Sequence, residues 1–577
     1  MREGQRERGG KRGERGKRGK GLAPRRARLL LVPMMILALL AGATPPASAA
    51  MGSVSDSWSP PVLLRTSDGW YVSPIQATLL PDGRSVLFIG LARNQYPPTS
   101  TAKARREAWL MPIDLLGSPM VSSVVIRELN EPVQYTGTII GSTYYSDDLF
   151  CSGDTLTADG RVLLAGGTRT TKDLTSGALT VSGLPYEVMF DGTSLTRLPG
   201  QFAATGPLND ADRWYPTLTR LPSGVILVTS GYEEVSPYPT PTGTIETYDP
   251  TTGARAVVTT SAPPQIVNRD YTHAFVLPYT NAPDDVLMFG EAGMPIETST
   301  TNLGAITVIP KGRPGYNGVG TNWGTSSTML PILVNNGAWG YHNGTVLLAS
   351  GNQSSVFEHN AAIFDPVSGT WLGSLDLVVP RQHPDAVDLP DGRILLINGH
   401  DIGGDLRVEQ AEYIDPAQHF SLALGSSSEG QVRGYHSIAL LLPDGRVLVG
   451  GGRDQDTTDT LEKPTYQYYY PDYMTKPRPV ITSAPTSLAY GSLFGVTTTG
   501  PTPASVVLVA LGSQTHSFDE DQRYVQLPVG KVTTTSGTSV VIAGSPTNSH
   551  VAPPGYYMLF VLDAHRVPSV ATIVHIG

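Results

Sequence analysis

The chain alternates polar turns with short apolar runs, and one such phrase recurs along most of its length. Each copy has an Asp-Gly or similar turn, followed by an apolar run that ends in glycine. Turns of this kind beside apolar runs are typical of hairpins, so each copy predicts a turn followed by a buried strand. The seven copies are Leu80–Gly90, Ala158–Gly167, Pro222–Gly231, Asp284–Gly290, Asn343–Gly351, Pro390–Gly399 and Pro443–Gly451.

A second sequence motif lies between these turns. It has an aromatic or apolar residue followed by Asp-Pro, as at Tyr248–Pro250, Phe364–Pro366 and Ile414–Pro416, and it suits an outer strand that ends in a turn. The repeat turns are about 48 to 77 residues apart, which leaves room for four strands in each repeat. Kelch-type blades have periods near 50 residues. The pattern therefore predicts an all-β chain in which residues 50–475 form a seven-bladed kelch-type β-propeller.

The repeats stop after Gly452, and a proline-rich linker, Pro471–Pro479, follows. Residues 480–577 alternate β-branched and polar positions between turn clusters. That length and pattern predict a C-terminal immunoglobulin-like β-sandwich. No segment after residue 50 has a helical period.

Residues 1–49 have the parts of a secretory signal peptide. A basic region runs from Arg2 to Arg28, the apolar stretch Leu29–Ala43 follows, and small residues of the cleavage type lie at Pro45–Ala50. The apolar stretch has 15 residues, whereas a membrane-spanning helix needs about 20. We therefore expect cleavage and secretion to the extracellular space. The alternative is an uncleaved anchor that holds the protein at the cell surface.

The remaining chain is acidic. Of the 577 residues, 51–577 contain 29 basic and 47 acidic side chains, a net charge of −18. An acidic surface repels phosphate backbones, so nucleic acid is excluded as a partner. No other segment is apolar enough to predict a membrane contact.

Four residues with redox or metal-binding chemistry lie at matching places in the repeats. Cys151, Tyr215 and His436 each lie eight residues before a repeat turn, and Tyr435 lies nine before one. Equivalent positions in different blades of a propeller point toward one axis. Tyrosine and histidine ligands in a tetragonal arrangement favour Cu(II). A fourth ligand is needed, and spacing does not choose it among the eleven histidines.

Taken singly, these residues have ordinary structural interpretations. A lone buried cysteine is usually a small hydrophobic residue, and a tyrosine on an inner strand usually belongs to the core. The chain has one cysteine, so it cannot form an internal disulfide. His273, His383 and His400 are each interpreted as packing or loop residues.

Several stretches resemble one known family, and together they span both predicted domains. They are Phe150–Gly153, Arg213–Tyr215, Pro384–Val387, Gly434–Ser437, Leu442–Val447, Thr515–Phe518, Asp521–Arg523 and Pro553–Phe560. The chain resembles the copper radical oxidases, the group of glyoxal oxidase and galactose oxidase. It is more similar to the glyoxal oxidase branch.

The resemblance implies a site. Cys151 would be joined to the ring of Tyr215 by a thioether bond, and the modified tyrosine would carry a stable radical. One copper ion would be bound by Tyr215, Tyr435, His436 and His516. Tyr435 would be the axial ligand that takes the substrate proton, and His516 would come from the C-terminal domain.

The resemblance also implies an activity. Small aldehydes of the glyoxal or methylglyoxal type would be oxidised, as hydrates, to carboxylic acids, with O2 reduced to H2O2. Peroxide-consuming enzymes are then expected as partners. One alternative is a galactose oxidase-like enzyme that oxidises primary alcohols, including sugar hydroxyls. A second alternative is a non-catalytic kelch propeller that binds glycans or proteins.

The chain departs from galactose oxidase at one position. In that enzyme a tryptophan stacks over the crosslinked tyrosine and lies 18 residues after it, whereas this chain has Glu233 there. A shield for the Tyr215 ring must then come from Trp323, Trp339 or Tyr232, or be missing.

Overall fold

The computed structural model describes most of the chain after residue 51. The described residues are 52–53, 55–96, 103–113, 123–204, 211–236, 240–262, 271–279, 286–289, 295–298, 306–309, 324–350, 352–353, 356–357, 359–400, 408–428, 430–453 and 462–577. The predicted signal peptide, the turn at Asp284–Asp285 and Trp323 lie outside these ranges. Within them the regular structure consists of β-strands and the short 3-10 helices Pro416–Gln418 and Asp472–Thr475. The all-β prediction is confirmed.

Seven successive groups of four antiparallel strands, called units 1 to 7 here, fill most of the described chain before residue 471. Units 1 to 3 are Tyr71–Leu79, Ser85–Arg93, Ala104–Pro112, Arg127–Leu129; Gly153–Leu156, Val162–Ala165, Glu187–Phe190, Leu195–Arg197; and Thr217–Arg220, Ile226–Thr229, Ile245–Tyr248, Arg255–Thr259. Units 4 and 5 are His273–Val276, Val286–Phe289, Pro295–Thr298, Ile306–Val308; and Ser326–Met329, Val346–Ala349, Asn360–Asp365, Thr370–Asp376. Unit 6 is Asp385–Asp388, Ile394–Ile397, Gln410–Asp415 and Ser421–Ser427.

Unit 7 combines both ends of this region. Its strands Ser437–Leu441, Val447–Gly451 and Thr465–Tyr470 are completed by Val62–Arg65 and Ser57–Trp58, which pair antiparallel with the last of them. The start of the folded chain is therefore hydrogen-bonded to residues about 400 positions later. The smaller strands Gly52–Ser53 and Ser123–Val125 add in parallel to Ser421–Ser427 and Val62–Arg65.

Two further sheets lie beside the units. One has the strand order Thr240–Pro241, Tyr232–Ser236, Leu179–Ser182, Thr168–Asp173, Thr143–Asp148, Thr138–Ile140, and the other pairs Asn352–Gln353 with Val356–Phe357.

The first two strands of each unit are almost wholly buried, as in Gly153–Leu156 and Val162–Ala165, whereas the outermost strands are partly exposed. A strand that is covered on both faces needs an apolar run rather than an alternating pattern, which explains the apolar half of the repeat. The glycine that ends the repeated motif is explained by a close backbone contact. Gly451 has φ 60°, and a Cβ there would lie 1.9 Å from the carbonyl oxygen of Pro74 in unit 1.

First strands of neighbouring units contact one another. Those of units 1, 2, 3 and 4 form one series of contacts, and those of units 5, 6, 7 and 1 form another. The units agree in number with the predicted blades, and their closure into a ring remains a prediction.

Residues 480–577, which are described without a gap, form two main sheets. One contains Val480–Ser483, Leu493–Thr499, Thr538–Gly544 and Val529–Thr535; the other contains Ser487–Leu488, Thr572–Ile576, Gly555–Asp563, Pro503–Ala510 and Tyr524–Leu527. A hairpin leaves this region, with the strands Ser513–Thr515 and Phe518–Asp519, and pairs with Tyr71–Leu79 of unit 1.

Buried carboxyl groups where this hairpin meets the units should make stability depend on pH. Burial raises the pKa of Asp388 to about 8 and that of Asp385 to about 7. Such groups favour the folded state when protonated, so stability is lost as pH rises from their unfolded pKa of about 4 through these folded values. Asp388→Asn should flatten this dependence, because an amide resembles a protonated carboxyl. We expect the variant to gain clearly more melting temperature over wild type at pH 9 than at pH 5, where only the start of this range has been crossed; equal pH slopes would contradict this account.

Candidate metal centre

The site is built on turns that precede the first strands of the units. Cys151, Tyr215, Tyr271 and His383 each lie two residues before such a strand, and His436 lies directly before one. All five have positive φ, between 47° and 68°. Non-glycine residues in this conformation cost about 1–3 kcal/mol each and cluster at functional sites. The repeat thus places side chains of successive units in one region through strained backbone.

His516 reaches the same region from the C-terminal hairpin. It lies at the hairpin tip with φ 45°, followed by Ser517 with φ 72°. The first hairpin strand pairs with unit 1, where Gln76 lies opposite Thr515.

Hydrogen bonds hold residues 514–523 to other units. The contacts are Gln514 Nε2 to Asp385 Oδ1 at 2.7 Å, Ser326 Oγ to the Ser517 carbonyl at 2.7 Å, the Leu218 amide to Glu520 Oε2 at 3.1 Å, Thr155 Oγ1 to Asp521 Oδ1 at 2.9 Å, and Arg523 Nη2 to the Val276 carbonyl at 2.8 Å. Units 2 to 6 therefore each bind this segment, which fixes His516 against them.

The structure brings together all four residues expected to bind copper. The Tyr215 and Tyr435 hydroxyls are 2.5 Å apart. The His516 ring centroid lies 4.6 Å from that of Tyr215, 5.2 Å from that of Tyr435 and 4.7 Å from that of His436. All four side chains belong to residues that are at most 9% exposed.

The two histidines present their Nε2 atoms for coordination. His436 Nδ1 lies 2.7 Å from Glu462 Oε1, and His516 Nδ1 lies 2.6 Å from Thr515 Oγ1. Both Nε2 atoms are buried and have no hydrogen-bond partner. Burial lowers the pKa of both imidazoles well below the usual value, with neighbouring cations adding to the effect. Neutral imidazole is the ligand form, and a hydrogen bond at Nδ1 orients Nε2 toward a metal.

These residues fit a copper ion. Two buried imidazole nitrogens and two phenol oxygens match the nitrogen and oxygen donors that Cu(II) accepts. No cluster of three His, Cys, Asp or Glu side chains suited to a metal occurs in the described part of the chain. The cluster described here is made of two histidines and two tyrosines.

Cys151 is fully buried in a cluster with Tyr215 and Tyr271. The Tyr215 amide donates to the Cys151 carbonyl at 3.0 Å. Burial raises the pKa of the thiol well above its usual value, and hydrogen bonding to Tyr215 partly offsets this. The thiol is thus protonated, shielded from solvent and beside the ring to which the family resemblance joins it.

The Tyr215 ring has an aromatic cover that sequence reasoning missed. Trp214 stacks on it with a centroid distance of 3.6 Å and an angle of 23°. Trp214 Nε1 donates to Thr168 Oγ1 at 3.1 Å, which fixes the indole. The two residues are adjacent in sequence, and the backbone at Tyr215 has φ 64°, which the sequence did not predict.

Neither described candidate for this cover stacks on Tyr215. Trp339 packs against Tyr341, and Tyr232 lies beside Trp214, with a centroid distance of 6.3 Å. Trp323 lies outside the described residues. The expectation for Trp339 and Tyr232 is thus wrong, that for Trp323 stays untested, and Trp214 covers the ring.

In the radical site that the family resemblance implies, replacing Trp214 by leucine should destabilise the oxidised Tyr215 ring. Aromatic pairs contribute about 0.5–1.5 kcal/mol beyond their buried area, so loss of the stack should shorten the half-life of the radical absorption band severalfold. Copper content should stay unchanged. The control is Trp339→Leu, which is remote from the ring; equal decay in the two variants would contradict a shielding role.

The sequence analysis interpreted His383 and His273 as packing or loop residues, and the structure separates the two. His383 lies 4.9 Å from the Tyr435 ring between centroids and stacks on His400 at 5.4 Å. His383 precedes Asp391 by eight residues, the spacing of Cys151 and Tyr215, so the repeat itself marked it. His273 stacks on Phe518 at 4.3 Å instead.

The C-terminal region matches the family model "Galactose oxidase-like, Early set domain" over residues 478–576. The chain is 27% identical to an aldehyde oxidase of Vitis pseudoreticulata over 64% of this chain and 72% of that protein. It is 26% identical to an aldehyde oxidase of Arabidopsis thaliana over 74% of this chain and 71% of the relative. It is 33% identical to a galactose oxidase of Gibberella zeae over 36% of this chain and 31% of that enzyme.

A solved structure has a similar fold. It is a fungal alcohol oxidase described as catalytically diverse and in complex with copper, with 22% identity, a TM-score of 0.63, and coverage of 90% of this chain and 99% of that one. The site and these relatives define the protein as a copper-dependent oxidoreductase that uses O2 and a small-molecule substrate. The chain is thus similar to the copper radical oxidase group, and its C-terminal region matches the galactose oxidase-like domain model.

Proposed function

We propose that the protein oxidises small aldehydes, as their hydrates, to carboxylic acids. The balanced reaction is RCH(OH)2 + O2 → RCOOH + H2O2. The observation that carries the proposal is the meeting of the Tyr215 and Tyr435 hydroxyls at 2.5 Å beside two buried histidines whose Nε2 atoms have no hydrogen-bond partner. Aldehyde oxidases match this chain over more of their length than galactose oxidase does, which favours aldehydes.

Tyr215, Tyr435, His436 and His516 would hold one copper ion. Copper together with a Tyr215 ring crosslinked to Cys151 supplies a two-electron redox site. The Tyr435 hydroxyl oxygen takes the proton that leaves the substrate, which is general-base chemistry. Glu462 holds His436, Thr515 holds His516, and burial keeps bulk water from the reacting groups.

The alternative within this family is oxidation of primary alcohols, RCH2OH + O2 → RCHO + H2O2, as the galactose oxidase relatives suggest. The second alternative, a non-catalytic kelch propeller that binds glycans or proteins, would not need two phenols and two imidazoles in one buried cluster.

The architecture we propose is a seven-bladed propeller at 50–475, with the copper site on its axis, and an immunoglobulin-like sandwich at 480–577. Contacts between the first strands of neighbouring units support the closed propeller. The pairing of the His516 hairpin with unit 1 gives a reason for the C-terminal domain to be joined to it. We propose secretion directed by residues 1–49, with a retained anchor as the alternative. Within the described residues, no helix is long and apolar enough to span a bilayer.

Peptide mass spectrometry of copper-loaded protein kept in air is the first test. The Cys151 and Tyr215 peptides should appear joined, lighter by two hydrogens than their sum. A substrate panel of glyoxal, methylglyoxal, galactose and simple primary alcohols, with H2O2 as the readout, then separates the alternatives. Free Cys151 in copper-containing protein would overturn the radical mechanism, and exclusive oxidation of alcohols would overturn the aldehyde assignment.

A further inference from the structure

Thr168 lies where two segments of the metal centre meet. It follows the two glycines that come after the second strand of unit 2. Gly167 donates its amide to the Arg213 carbonyl at 3.1 Å, and a Cβ on Gly167 would lie 2.6 Å from the Asp148 carbonyl oxygen. This close approach on both sides places Thr168 between the chain that leads into Cys151 and the chain that follows Arg213.

The Thr168 hydroxyl uses all of its hydrogen-bonding capacity. It donates to the Phe150 carbonyl at 2.6 Å and accepts from Trp214 Nε1 at 3.1 Å. It also hydrogen-bonds to the Cys151 thiol. A hydroxyl has one hydrogen and two lone pairs, so with its hydrogen on the Phe150 carbonyl it accepts from the thiol as it does from the indole. Thr168 is 3% exposed, which keeps water from replacing either bond.

These two bonds hold the two groups that act on the Tyr215 ring. Cys151 carries the sulfur expected to join that ring, and Trp214 stacks on it with a centroid distance of 3.6 Å. A cysteine side chain has three staggered rotamers. The bond to Thr168 favours the rotamer observed here, in which the thiol belongs to the buried cluster of Tyr215. One hydroxyl thus restrains both the sulfur and the indole.

We propose that Thr168 is a positioning residue that holds the Cys151 thiol for thioether formation and the Trp214 indole for protection of the finished Tyr215 ring. The covalent step is Cys–SH + Tyr–H + O2 → Cys–S–Tyr + H2O2. The S–H bond and one ring C–H bond break, an S–C bond forms, and two electrons and two protons pass to O2. The inference rests on the proposed radical function and gives a residue outside the ligand set a part in building and keeping the radical site.

The test follows thioether formation over time. Thr168→Val removes the hydroxyl and keeps the β-branched shape. After copper-free protein is loaded with copper in air, the joined Cys151–Tyr215 peptide should form about 3- to 10-fold more slowly in this variant than in wild type, the size of one lost hydrogen bond. The half-life of the radical absorption band should also be severalfold shorter. Thr168→Ser, which keeps the hydroxyl, should restore both rates, and copper content should be equal in all three proteins.

The matched control is Thr219→Val. Thr219 is also buried, on the first strand of unit 3, and its hydroxyl has no hydrogen-bond partner within the described ranges, so its replacement should change neither rate. If Thr168→Val does not fold, the comparison of Thr168→Ala with Thr168→Ser isolates the hydroxyl instead.

Two results would overturn the inference, and they differ in what else they overturn. Wild-type rates of crosslinking and of radical decay in Thr168→Val would remove the role of Thr168 and leave the proposed radical function intact. Absence of the joined peptide from copper-loaded wild type would remove the radical function, and the positioning role with it.

Discussion

Replacing Cys151 by serine should lower kcat/KM by about 10⁴-fold or more, a loss of the size seen when one member of a catalytic unit is removed. The thiol is fully buried against Tyr215, and it is the only sulfur that can form the thioether. Without that bond the Tyr215 phenol has a higher potential and its radical is not stabilised. The copper ligands themselves are unchanged.

Three readouts separate this effect from misfolding. Copper content and melting temperature should match the wild type, while the joined peptide and the radical absorption band should both be lost. Tyr271→Phe is the matched control: its ring belongs to the same buried cluster, and its hydroxyl donates to the Ser152 carbonyl at 2.8 Å and also hydrogen-bonds to Thr515. Full activity in Cys151→Ser would refute the radical cofactor.

Replacing Tyr435 by phenylalanine should lower kcat by about 10²- to 10⁴-fold, the range for loss of a general base. The substitution removes only the hydroxyl that lies 2.5 Å from that of Tyr215. The thioether should still form, because Cys151 and Tyr215 are untouched.

The two variants should therefore differ in one readout. Both lose turnover, but the joined Cys151–Tyr215 peptide persists in Tyr435→Phe and is absent from Cys151→Ser. The substrate deuterium isotope effect should also change, because the step that breaks the C–H bond loses its proton acceptor. Comparable turnover in wild type and Tyr435→Phe would assign the base to another group; His383, whose ring centroid lies 4.9 Å from that of Tyr435 and which is not a proposed copper ligand, is the first to examine.

Local sequence signals account for much of the fold. The Asp-Gly turns and apolar runs are short-range features, so seven hairpins could be predicted without any tertiary information. They also mark Cys151, Tyr215 and His436. Residues at the same distance from the turn occupy equivalent positions in their units, so their side chains lie in the same region. His516 has no repeat to mark it and came from resemblance alone.

The remaining features depend on tertiary contacts. Trp214 stacks on Tyr215, whose backbone has the left-handed conformation. Tyrosine rarely adopts this conformation, and sequence patterns do not predict it. Glu462 reaches His436 because its segment pairs with the chain at Arg453, and the sequence of the intervening loop does not predict that pairing. Interpreting His383 as packing gave too little weight to its repeat spacing.

The hairpin that carries His516 has a consequence for the order of events during biosynthesis. Its anchors lie in units whose residues are synthesised long before it, and unit 7 closes only when Thr465–Tyr470 meets the first strands of the folded chain. A growing chain thus has the sulfur, both phenols and one imidazole in place before the last ligand exists. Under the proposed function, the complete set of copper ligands exists only after residue 516 has been synthesised, and a product truncated before it would lack one proposed ligand.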